Sequence, residues 1–318
     1  MSGGRTVRIG TRASALALWQ AREVAARIAA QPAAPAVELV HIRTSGDQQV
    51  DVPLWQVGGR AFFTREIDRA LLAAEVDVAV HSLKDLPTQL DEGLVLAALL
   101  PRADPRDALV SRSGAVLAQL PAGARIGTSS LRRRAFLARL RPDAVPLELR
   151  GNVPTRIERL QRGEYDAIVL AAAGLARLDL AQHVTEFLSP DSFPPAVSQG
   201  VIGICARSGD IETQRLLVAL DDREARLAAT AERALLRRLE GGCQVPLGAL
   251  ATVQGGDLSL MACICALDGT RQLSARGRAP AGDAAAEALG VRIAEELLAR
   301  GAADLMAKER EARAVEPP

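Results

Sequence analysis

One cysteine of this chain lies in a glycine turn, Glu240-Gly241-Gly242-Cys243-Gln244-Val245-Pro246. Two glycines ahead of the thiol open backbone conformations closed to other residues and shield it little. Pro246 stops any helix from resuming. Three chemistries compete for such a thiol. A thiol hydrolase or acyltransferase needs a base, and His41, His81 and His183 have no telling spacing from it. A buried inert thiol fits the glycines poorly. A covalent attachment point for a ligand or cofactor needs only an accessible thiolate.

Polar clusters elsewhere fall where a strand is expected to end. Arg12 and Ser14 follow the first strand, and His81-Ser82-Leu83-Lys84-Asp85 follows a buried-looking one. Thr128-Ser129-Ser130-Leu131-Arg132-Arg133 opens a helix, and Arg150 and Arg156 flank 151–155. Free amides, hydroxyls and guanidinium forks at a helix start make an anion site. The bland alternative for any one cluster is a capped helix with a solvated basic face. Four of them at strand ends point to a ligand with several anionic groups. Asp85 is the acid/base candidate, with a surface charge pair as its plain alternative. His81 reads as structural. Cys263 and Cys265, two apart in a strand, share one face and read as packing residues rather than metal ligands.

The elements that must carry these groups alternate. Strands are expected at 6–9, 37–42, 76–80 and 94–99, with helices at 14–30 and 64–74. A second unit has strands at 125–127, 146–149 and 167–171 and a helix at 131–140. Arg8-Ile9-Gly10-Thr11 and Arg125-Ile126-Gly127-Thr128 echo each other at equivalent junctions, which reads as two similar lobes. A strand at 201–205 follows a Pro- and Ser-rich loop, as if the chain returned to the first lobe. A helix at 221–240, alternating stretches at 249–253, 258–266 and 272–278, and helices at 283–299 and 302–313 complete the chain. Asp268-Gly269 marks a hairpin, and Asp283 is the expected cap of the penultimate helix.

The 318 residues suffice for two or three domains. A net charge of +1 gives no field to hold nucleic acid or an acidic membrane. Without a signal-like apolar start or a long apolar run, a soluble cytoplasmic protein with reduced thiols is expected. All but two of the 39 basic residues are arginines. Lys84 is one exception, which marks a place where an ammonium is preferred.

Taken together, Arg8-Ile9-Gly10-Thr11-Arg12, Leu16-Ala17-Leu18-Trp19-Gln20, Val80-His81-Ser82-Leu83-Lys84-Asp85-Leu86-Pro87 and Gly127-Thr128-Ser129-Ser130-Leu131-Arg132-Arg133 form a set. With Leu149-Arg150-Gly151-Asn152-Val153, Thr155-Arg156, Gly174-Leu175, Pro195-Ala196-Val197, Gln199-Gly200 and the Cys243 turn, the chain resembles the porphobilinogen deaminase family. The resemblance implies an α/β fold: two doubly wound lobes like periplasmic binding proteins and a small α+β C-terminal domain. The implied domains are 1–101 with 200–219, 102–199, and 220–318. It implies that Cys243 holds a dipyrromethane cofactor by a thioether. Four porphobilinogen molecules would then be deaminated and joined head to tail, leaving as hydroxymethylbilane. Arg12, Arg132, Arg133, Arg150, Arg156 and Arg177 match family arginines that would hold the carboxylates, with Ser14, Ser82, Thr128, Ser129, Lys84 and Gln199. Asp85 matches the catalytic aspartate. A monomer acting on porphobilinogen, without nucleic acid or membrane, is implied. The chain departs from the family at Ser45, Arg60-Ala61, Pro154, Ala176 and Ser198, and 45–60 is expected to be a loop over the cleft. A solute-binding protein of the same two-lobed shape is the rival; it would need no cysteine and usually carries a secretion signal.

Overall fold

A computed structural model describes residues 5–44, 64–239 and 246–307. Cys243 and the expected cleft loop at 45–60 lie outside the described residues. The chain begins β1 (Thr6–Thr11), α1 (Ala15–Ala29), β2 (Ala36–His41), α2 (Arg65–Leu72), β3 (Val78–Ser82) and β4 (Leu94–Leu99). It continues β5 (Asp107–Ser111), β6 (Arg125–Gly127), α3 (Leu131–Leu140), β7 (Val145–Leu147), α4 (Val153–Gln161), β8 (Ala167–Ala171), α5 (Ala172–Arg177) and β9 (Glu186–Phe187). The last part is β10 (Ile202–Arg207), α6 (Ile211–Val218), α7 (Arg223–Arg238), β11 (Leu247–Gln254), β12 (Asp257–Cys265), β13 (Gln272–Pro280) and α8 (Asp283–Ala299).

Two five-stranded sheets share one topology, β2-β1-β3-β10-β4 and β7-β6-β8-β5-β9. In each the first three strands run parallel and the fourth antiparallel to its neighbours. The fourth strands arrive by exchange. The chain leaves the first sheet after β4 to supply β5, and leaves the second after β9 to supply β10. These two crossings touch: the Ala103 amide donates to Gly200 O at 3.2 Å. Gly200 has φ +90°, and a Cβ there would stand 2.5 Å from Ala103 O. Only glycine allows that approach.

The sequence echo has a geometric counterpart. The Arg8 amide and Nε both donate to Asp77 Oδ2, at 3.0 and 3.1 Å. The Arg125 amide and Nε donate to Asp166 Oδ2 at 2.9 and 3.2 Å. In each sheet the second strand of that order, β1 or β6, is thereby pinned to the residue just before the third, β3 or β8.

Helix starts follow their caps. Ser14, Ser130, Asn152 and Asp222 each accept from the backbone amide three residues on. Pro154 departs from the family but falls in the first turn of α4, where no amide hydrogen is required. The cap of α8 is Gly282, not Asp283. Asp283 is instead the first helical residue and pairs with Arg223. Strands β5 and β9 and helix α6 had no sequence-based expectation.

The third domain is an antiparallel meander, β11-β12-β13, packed on α7 and α8. Alternation along β12 serves two cores. Ala262 and Ile264 enter the domain's own core, and Cys263 and Cys265 enter that of the second lobe. The two cysteines thus share a face, as their spacing implied.

Candidate active site

The site lies at the two crossings, beyond the ends of β3 and β6, where open α/β sheets bind ligands. In the first lobe, β3 ends in a tight 3-10 turn, Leu83–Asp85. Leu83 is buried and fixes the turn, leaving Lys84 and Asp85 half-buried beside it. Ser82 Oγ accepts from Gln20 Nε2 at 2.8 Å. Ser14 caps α1, its oxygen accepting from the Ala17 amide at 3.3 Å. Arg12 is half-buried at the end of β1. His81 is buried with Nε2 3.6 Å from Asp68 Oδ1, a placement away from solvent.

In the second lobe, α3 opens the site. Ser130 is its cap, and Thr128, fully buried, accepts from the Ser130 amide at 3.2 Å. The Ser129 hydroxyl donates to Leu149 O. Both hydroxyls expected to meet a ligand therefore also shape the turn. Arg132 and Arg133 converge on Asp107, the first residue of β5, at 2.6 and 2.7 Å. Arg133 Nη1 also donates to Val169 O at 2.8 Å. Gln199 completes the cluster. Its Nε2 donates to Asp107 Oδ1 at 3.0 Å and to Pro105 O at 2.8 Å. Its Oε1 accepts from Lys84 Nζ at 3.3 Å. A line of contacts thus runs from Lys84 in one lobe through Gln199 to Asp107 and the arginine pair in the other.

Electrostatics follow from this crowding. Burial drives the Asp107 carboxyl upward, but the charges and hydrogen bonds of Arg132 and Arg133 outweigh it and hold the carboxyl well below the ordinary range. Burial pushes the Lys84 ammonium down to about 8; Asp85 opposes the shift and Arg133 adds to it. Burial, with Arg133 and Arg150 nearby, lowers Arg156 to about 10, while Asp85 acts in the opposite sense. Burial lowers Arg150 too, and Arg177 to about 10. Arg156 Nε donates to Gly151 O at 2.7 Å. Arg177 donates to Gly200 O at 2.7 Å and stacks 5.6 Å over the Trp19 ring.

These residues fit a polycarboxylate such as dipyrromethane. The cluster packs more guanidinium than carboxylate into a partly dry space, and its cations repel one another's protons. Arg132 Nε is buried without a hydrogen-bond partner. A ligand carboxylate would relieve both conditions.

Two groups of this region escaped sequence reading. Asp107 is one, and Glu232 of α7 the other. Fully buried Glu232 accepts from Arg102 at 2.6 Å, the Ser198 amide at 2.6 Å and the Ala251 amide at 2.7 Å. It joins the third domain to both crossings. An aspartate opening the apolar run Ala108-Leu109-Val110 was the available signal for Asp107.

Comparison with known proteins agrees along nearly the whole chain. Residues 7–215 match the family domain described as "Porphobilinogen deaminase, dipyromethane cofactor binding domain". Residues 226–299 match "Porphobilinogen deaminase, C-terminal domain". The porphobilinogen deaminase of Syntrophotalea carbinolica is 50% identical over 301 residues, covering 95% of each chain. That of a Roseiflexus species is 52% identical over 305 residues, covering 95% of this chain and 99% of that one. That of Roseiflexus castenholzii is 53% identical over 301 residues, covering 94% and 98%. With two α/β lobes, a cationic site at their crossings and these matches, the chain belongs to the porphobilinogen deaminase family.

Proposed function

We propose that Asp85 is the catalytic acid/base of this site and that Cys243 is the point where the dipyrromethane is held by a thioether. The activity itself follows from the family: porphobilinogen is deaminated and condensed, on a dipyrromethane cofactor, to hydroxymethylbilane. The observation that supports the residue roles is the Lys84–Gln199–Asp107 line, which ties the chain neighbour of Asp85 to the arginine pair, together with the Asp85 charge acting on Lys84 and Arg156.

When bound, the dipyrromethane supplies the pyrrole to which the first substrate unit is joined. The protein's own groups do the rest. Arg12, Arg132, Arg133, Arg150, Arg156 and Arg177 would hold acetate and propionate side chains, with Ser14, Ser82, Thr128, Ser129, Lys84 and Gln199 around them. Loss of ammonia from porphobilinogen leaves positive charge on its pyrrole. The Asp85 carboxylate stabilises that charge and moves protons at the pyrrole nitrogen and at the departing amine. Partial burial strengthens this interaction over what water would allow.

The proposed domains are 1–101 with 200–219, 102–199, and 220–318; the sheet membership of β10 supports the returning segment. We further propose a cytoplasmic monomer without nucleic-acid or membrane partners. The net charge of +1 supports only the absence of a polyanionic partner; among the described residues no helix is long and apolar enough to cross a membrane. The decisive test is Asp85→Ala. Turnover should fall by about 10²-fold or more, with the thermal transition and the bound cofactor retained. Retained turnover would overturn the role given to Asp85.

A further inference from the structure

Cys265 sits between two parts of the molecule. Its amide donates to Pro246 O at 3.1 Å, and its thiol to Ala135 O of α3 at 3.6 Å. Just beyond it, the hairpin tip Asp268-Gly269 rests on the backbone of the same helix. Gly269 has φ +74°, and a Cβ there would stand 2.6 Å from the Ala138 carbonyl carbon and 2.8 Å from Arg139 Cα. Both are backbone atoms, so no side chain can swing aside. Arg139 closes the contact by donating to Gly269 O at 3.2 Å. Helix α3 begins with Leu131, directly before Arg132 and Arg133. On the other side of Cys265, Pro246 is three residues from Cys243.

We infer that Gly269 is a positioning residue: its turn, seated on α3, holds β12, and through the Cys265–Pro246 hydrogen bond and the β11–β12 ladder the start of β11, in register with the arginine pair of the second lobe. The inference rests on the reading of Cys243 as the attachment point. Gly269 touches no substrate atom and carries no charge. It works by admitting an approach of two backbones that any side chain would prevent. The same seat covers Cys263 and Cys265. Burial pushes the Cys263 thiol up to about 12, so alkylation there is slow while the domains are docked.

The test compares Gly269→Ala with Gly256→Ala in the purified holoenzyme, with Arg139→Ala as a milder variant. Gly256 has φ +86° at the β11–β12 hairpin, with no atom within 4 Å of an added Cβ. Its substitution therefore carries the backbone strain without the clash. The readouts are iodoacetamide labelling of Cys263 and Cys265 by peptide mapping, and steady-state kinetics. Cys205, buried in the first lobe, serves as the internal reference. Labelling of Cys263 and Cys265 should rise roughly ten-fold in Gly269→Ala while Cys205 stays at its wild-type rate. In the same variant kcat should fall about ten-fold with KM within about two-fold. Arg139→Ala should move both in the same direction by less, and Gly256→Ala should match wild type. Wild-type labelling in Gly269→Ala, faster labelling with unchanged kcat, or equal acceleration at Cys205 would each overturn the inference. Intact mass reports the parent reading separately: an unmodified Cys243 in wild type would remove the role while leaving the labelling contrast as it is.

Discussion

Asp107 accepts from two arginines and a glutamine inside the protein, so in the proposed anion site it sets where the two guanidinium groups lie. Removing its charge leaves two buried guanidinium groups without their counter-ion. We expect Asp107→Asn to lose ~3–5 kcal/mol in denaturant unfolding. The wild-type carboxyl titrates well below the 3.8 of the unfolded chain. Its contribution to stability is therefore complete above that value and is lost as pH falls toward the folded one. Lys84 has the opposite sign. Its proton is held less tightly in the folded protein, about 8 against 10.5 unfolded. Folding stability therefore gains between those values as the cost of burying the charge disappears. Carboxylate binding should weaken over the lower part of that window. We expect KM for porphobilinogen to rise as pH passes about 8, and Lys84→Arg to flatten that rise because arginine stays charged. Lys84 was legible because it is exceptional in an arginine-rich chain. Asp107 was not, because its partners Arg132, Arg133 and Gln199 are far along the sequence and only the fold brings them to it.

At the scale of elements, local chemistry was the readable part. Ser14 lies directly before the helix it caps, and of the two serines that could cap α3, Ser129 and Ser130, backbone geometry selects Ser130. Strand β5 is five residues long and depends on pairing with β8 and β9. Its short apolar run carries no period that separates it from a loop. Asp283 misled for a related reason: glycine and aspartate both cap helices, and only backbone geometry shows that Gly282 takes the position. Ser198 shows a departure from the family with a physical consequence. It holds φ +62° in the crossing that leads to β10, and its hydroxyl is buried without a partner. Glycine would remove both costs, offset in part by its greater freedom when unfolded. We expect Ser198→Gly to stabilise the protein by ~1 kcal/mol, read as a higher Tm in calorimetry.

At the scale of the molecule, two lobes of one topology exchange their fourth strands, and the exchange builds the site. Asp107 begins one exchanged strand and Gln199 lies just before the other. Glu232 fastens the third domain to the same crossings. The four-residue echo foretold two lobes, and the matching Arg8–Asp77 and Arg125–Asp166 pairs give the echo its physical basis. The docking of the third domain through Gly269 was not readable, because a hairpin signal does not say what the hairpin meets. The central proposal is that Cys243 permanently holds the dipyrromethane, with the arginines as partners of its carboxylates. Intact mass spectrometry of the protein from cells that make porphobilinogen tests it most directly. The wild-type chain should be heavier than its 318-residue sequence by one dipyrromethane, and Cys243→Ser should have the unmodified mass. A wild-type chain at its sequence mass, or a Cys243→Ser variant that keeps the added mass, would contradict the claim.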